Sequence, residues 1–114
     1  MKKTLDFNKL QRPTLELVMS DDARTVINVT TPSEALLEKI QANIDELEAA
    51  AKRNDIEGIK RSYILAAEVI SCNLEGVTVT AEELRDKYKL GIDHAILFFS
   101  AYLDFITEIQ NAKN

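Results

Sequence analysis

The chain has 114 residues and a net charge of −5, with 46% hydrophobic and 29% charged residues. That length suits one hydrophobic core, and that composition suits a water-soluble globular protein. The first 32 residues carry five basic and four acidic side chains and the remainder nine and fifteen, so no broad basic surface exists to drive phosphate-backbone binding, which argues against a nucleic-acid binder.

Two lysines open the sequence MKKTLDFNKL, but Asp6, Asn8, Lys9, Gln11 and Arg12 break any apolar signal-peptide run. Leu5 and Phe7 are candidates for a short strand before Pro13. Residues 14–31 read as a β-hairpin. Leu15, Leu17 and Met19 alternate with Thr14, Glu16 and Val18, the period of a half-buried strand. SDDAR is a polar turn, and TVINVTT follows with Ile27 and Val29 on one face. An isolated hairpin is marginal in water, so it must lie on helices or pair an edge with another chain; a second copy of this chain is one candidate for that edge.

Helices are expected from residue 32 onward. Thr31-Pro32-Ser33-Glu34 reads as a capping box with proline at the first helical position, followed by the stripe Leu36, Leu37, Ile40, Ile44 and Leu47. Asn54-Asp55-Ile56-Glu57 repeats the signal for a second helix, with Ile56, Ile59, Tyr63, Ala66, Ala67 and Ile70 inward and Gly58 a mild weakness. Gly76 closes that region near Asn73 and Leu74. Thr80-Ala81-Glu82-Glu83 caps a short third helix to about Lys89, which Gly91 ends. The expected fold is therefore α+β and mainly α: an N-terminal hairpin region, 1–31, and a helical region of about four helices, 32–114, in one compact domain.

The last helix, Ile92 to Ile109, holds Phe98, Phe99, Tyr102 and Phe105, four of the seven aromatics. At about 100° per residue its apolar side chains span roughly half the circumference, wider than a surface helix needs. Leu97 intrudes on the polar arc of Asp93, Ser100, Asp104, Thr107 and Glu108. Ile96, Phe98 and Phe99 are expected in this chain's own core. The edge bearing Tyr102, Phe105 and Ile109 is expected to meet a partner protein, because aromatic residues are enriched at such contacts.

Chemistry is sparse. Cys72 and His94 are the sole cysteine and histidine, which leaves no zinc-site spacing and no internal disulfide. The expectation is an inert Cys72 and a solvated His94. The glycines at 58, 76 and 91 are isolated, so no phosphate loop is present, and the pairs Asp21-Asp22 and Glu82-Glu83 suit a turn and a helix start. No catalytic residue, cofactor or metal is expected. No apolar run is long enough to span a bilayer, and the reading is a soluble cytoplasmic protein.

The order of segments carries a resemblance. A strand pair leads into TPSEALLEKI, then AAEVISCNLEGVTVTAEEL, then FFSAYLDFITEIQNAKN. Over about its last two-thirds the chain resembles the small tail assembly chaperones of long-tailed, siphovirus-type bacteriophages and prophages. That resemblance implies a non-enzymatic protein of the bacterial cytoplasm. It implies binding to the tape measure protein and recruitment of the major tail protein during tail assembly. The other reading is a small phage structural or interaction protein, such as a tail-completion subunit or an antitoxin-like partner.

Overall fold

The computed structural model describes residues 2–5 and 13–112. It is α+β and mainly α, with an N-terminal antiparallel hairpin followed by four helices. Strand β1 (Leu15–Val18) pairs with β2 (Val26–Val29), with Leu15 opposite Val29 and Leu17 opposite Ile27. Ile27 and Val29 are buried and Leu15 and Leu17 half-buried, while Glu16 and Val18 face solvent. The alternation thus sets one face of the sheet on the helices. In the turn, the Asp21 carboxylate accepts the Thr25 backbone N–H at 2.8 Å, and Arg24 adopts φ +52°. Leu5 belongs to no strand; Phe7 lies outside the described residues.

Helix α1 (Glu34–Arg53) begins two residues later than the sequence pattern suggests. Its cap is Ser33, whose Oγ accepts the Leu36 N–H at 3.2 Å. The delay has a tertiary cause: the Thr30 N–H is bonded to the Cys72 carbonyl at 2.9 Å, and the Thr30 carbonyl to the Tyr102 hydroxyl at 2.8 Å. Those bonds hold the chain extended at the sheet. Asn54 ends α1 in the left-handed region, φ +52°, a conformation asparagine tolerates. Asp55 at once caps α2 (Ile56–Ile70).

The α1–α2 hairpin is tight at Gly58. A Cβ there would stand 2.6 Å from the Ala50 Cβ, so the glycine is what lets the helices approach. The buried face of α2 is broader than expected and includes Ser62, Leu65 and Val69, whereas Ile56, at the uncovered tip of the hairpin, is 66% exposed.

The stretch from Ser71 to Thr80 folds on side-chain bonds. The Ser71 hydroxyl donates to the Val79 carbonyl and accepts the Val79 N–H, at 3.0 and 2.9 Å. Asn73 clasps Val77 through both amide atoms, and Gly76 turns the chain at φ +69°. Helix α3 (Ala81–Asp86) carries the expected capping box: the Thr80 Oγ1 accepts the Glu83 N–H and the Glu83 Oε1 accepts the Thr80 N–H, both at 3.1 Å. It stops short of Lys89. The left-handed residue beyond it is Lys89 itself (φ +53°), not Gly91. Helix α4 (Ile92–Ala112) then crosses α1 and α2. Tyr102, Phe99, Ile27, Ile40, Ile70 and Leu84 are the largest fully buried side chains, so the core lies where α4, α2, α1, α3 and the inner face of β2 meet. Among the described residues no helix is long and apolar enough to cross a membrane.

Candidate functional site

Helix α4 is organised around one buried arc. Ala95, Phe99, Tyr102 and Ile106 are buried at i, i+4, i+7 and i+11 spacing. This corrects the expectation for Tyr102. It is 0% exposed and cannot meet a partner without unfolding the core. Its phenol reaches the Thr30 carbonyl, which satisfies the polar tip inside an apolar setting. Burial, with the nearby Cys72 thiol a lesser cause, pushes its pKa well above the ordinary phenol value. Phe105 and Ile109, the other two residues of the expected partner edge, are half-buried on the shoulder of this arc. Phe98 and Ile96, expected in the core, are half-buried as well. The rings of Phe98, Tyr102 and Phe105 form a row, with centroids 5.8 and 6.0 Å apart.

Beyond Phe98 and Phe105 the apolar surface continues outward through Ala101 to Leu97, which is 67% exposed. This strip borders a groove of about 530 Å³ between β1 and the start of α4. Leu15, Leu17, Leu90, Leu97, Phe98 and Ala101 supply its apolar lining, with Glu16, Lys89 and His94 as its charged or titratable residues.

The walls of the groove are held by specific bonds. The Ser20 hydroxyl donates to the Tyr88 carbonyl, tying the end of β1 to the segment after α3. The Tyr63 hydroxyl donates to the Leu90 carbonyl at 2.7 Å, which fixes that segment from below. Burial raises the Tyr63 pKa as well. The Lys87 ammonium lies 5.2 Å from the Tyr88 ring centroid, a cation–π contact at the rim.

His94 is not simply solvated. Its Nδ1 accepts the Gly91 N–H at 2.9 Å, which caps the first turn of α4. Because that nitrogen accepts, its 3.5 Å approach to the Asp93 carboxylate is proximity rather than a hydrogen bond. The Cys72 thiol donates to the Glu68 carbonyl at 3.5 Å. Each of these residues thus has a local structural partner.

A second cavity, of about 200 Å³, lies between α1 and α2 over Phe99. It exists because Gly58 and Ser62 are small beside Ile40, Ile44 and Leu47. The pairs Lys39–Glu68 at 3.3 Å and Arg61–Glu46 at 3.7 Å bridge the same two helices, and all four side chains are solvent-exposed, where such pairs contribute little. Among the described residues no three His, Cys, Asp or Glu side chains cluster as a metal site would require.

No protein-family model matches the chain, and comparison with curated proteins and with solved structures returns no match.

Proposed function

We propose that this chain is a non-enzymatic tail assembly chaperone of a long-tailed phage or prophage, acting in the bacterial cytoplasm. Its work is to cover apolar helix surface on the tape measure protein before the tail tube forms, and to yield that protein to the major tail subunits. The observation that carries this reading is the strip Leu97, Phe98, Ala101 and Phe105. It is an uncovered extension of a core helix, beside an apolar groove, on a chain of net charge −5.

The physical argument is one of matching surfaces. Residues at i, i+4 and i+8 form the kind of ridge that packs into the groove of a neighbouring helix. A tape measure protein is a long helical molecule whose apolar stripe would self-associate if left bare. An amphipathic helix laid along α4 would cover Leu97 and Phe98 and have its own stripe covered in return. The acidic surface, with Asp104 and Glu108 bordering the strip, keeps the free chaperone soluble.

Co-expression with the tape measure protein tests this. The chain should co-purify with it and keep it soluble, and should be missing from finished particles by mass spectrometry. Retention in the particles would assign a structural tail subunit instead.

A further inference from the structure

The two edges of the hairpin differ. Met19 donates its N–H to the Thr25 carbonyl at 2.8 Å, which sets the phase of the ladder. The odd-numbered residues of β1 therefore bond to β2, and Glu16 and Val18 turn their backbone groups away. On β2 the outward residues are Val26 and Asn28, with Thr30 just beyond the strand; Asn28 and Thr30 are satisfied, and among the described residues Val26, beside the turn, bonds to no other segment. The Asn28 N–H meets the Glu75 carboxylate at 2.7 Å and its carbonyl accepts the Leu74 N–H at 3.1 Å. Thr30 bonds to Cys72 and Tyr102. Among the described residues nothing does the same for Glu16 and Val18. Unpaired strand edges template pairing with another strand.

We propose that the free edge of β1 pairs with the same edge of a second copy of this chain, antiparallel and with Leu17 opposite the second copy's Leu17. The occupant is identified by self-complementarity. In this register Glu16 stands opposite Val18 of the second copy, so the outward N–H and C=O groups of both residues are exchanged reciprocally. Like charges are not set opposite one another, which in a sheet is destabilising. The second copy's Glu16 instead approaches the end of β1 that Ser20 ties to Tyr88, and that end carries Lys87 and Lys89.

The side chains agree with the backbone. Residues directly opposite in an antiparallel pair point to the same face, so the two Leu17 side chains meet on the inner face, where each borders its own groove. A two-fold axis through that contact joins the hairpins into one four-stranded sheet and sets the two grooves side by side. Such an isologous contact closes on itself and stops at a dimer.

The test runs on the full chain alone, by light scattering after size exclusion. The native chain should show twice its 12.8 kDa mass. Val18→Pro should halve that mass while far-UV circular dichroism stays unchanged, because the Val18 N–H points away from β2 and proline there removes no hairpin bond. In a Cys72→Ser background, Leu17→Cys should form a disulfide-linked dimer on mild oxidation and Val26→Cys should not. A native monomer, a folded Val18→Pro dimer, or no cross-link through Leu17→Cys would each overturn the proposal. If Val18→Pro fails to fold, the cysteine pair decides the matter without it.

Discussion

Gly58→Ala separates two physical effects of opposite sign. By helix propensity alone the substitution stabilises α2 by up to about 1 kcal/mol. The structure opposes this. The new methyl would lie 2.6 Å from the Ala50 Cβ and 3.3 Å from the Asp55 carboxylate that caps the helix. Ordinary carbon contact needs about 3.5–4.0 Å, so α1 and α2 must part by about 1 Å. Overpacking of this kind costs about 1–3 kcal/mol, and the net expectation is a loss of about 0–2 kcal/mol. The decisive assay is a double-mutant cycle in urea. In an Ala50→Gly background the obstructing methyl is gone, and Gly58→Ala should now stabilise by up to about 1 kcal/mol. If Gly58→Ala stabilises the native background equally well, the close approach of the two helices is refuted.

Tyr102→Phe should cost about 1 kcal/mol through the lost bond to Thr30, and Tyr102→Ala about 3–5 kcal/mol, both read as urea midpoints, since this residue is core. Hydrogen bonds from Asn28 hold the Glu75 carboxyl below its ordinary pKa. Its folded pKa is thus below the unfolded one, so its contribution is complete above the ordinary carboxyl value of 4.5 and is lost as pH falls through the folded value. Glu75→Gln should accordingly destabilise at pH 7, with the difference from the native chain shrinking in acid. Thr80→Ala should cost about 1 kcal/mol and speed amide exchange in α3, because it removes the hydroxyl that holds the Glu83 N–H.

The local signals in the chain were readable where local physics decides. The alternation in TLELVM and TVINVTT defines the inner face of the hairpin, and Thr80 to Glu83 forms its box as spaced. Misreadings arise where distant residues intervene. The start of α1 moves from Thr31 to Ser33 because Cys72 and Tyr102 grip Thr30, a bond pattern no window around Pro32 contains. Gly58 looks like a weak helix former until Ala50 is placed against it. The breadth of the apolar arc and its aromatic content place the exposed edge of α4 at Tyr102, Phe105 and Ile109. In the structure Tyr102 is fully buried with its hydroxyl on the Thr30 carbonyl, and the open strip runs through Leu97, Phe98, Ala101 and Phe105. One sign of that strip was present in the sequence: Leu97 interrupts the polar arc, and a large apolar residue among polar ones marks surface that the chain's own fold does not bury. The edge closure by Glu75 on Asn28 had no sequence signal, since a carboxylate in a loop is ordinary.

The central claim is that the open strip on α4 binds a partner helix, and Leu97→Asp tests it most directly. Leu97 is 67% exposed, so the substitution should leave stability within about 0.5 kcal/mol of the native chain. A buried charge facing an apolar partner should weaken tape measure binding at least about tenfold in a titration, equivalent to about 1.4 kcal/mol. Unchanged affinity in a folded Leu97→Asp protein would contradict the account.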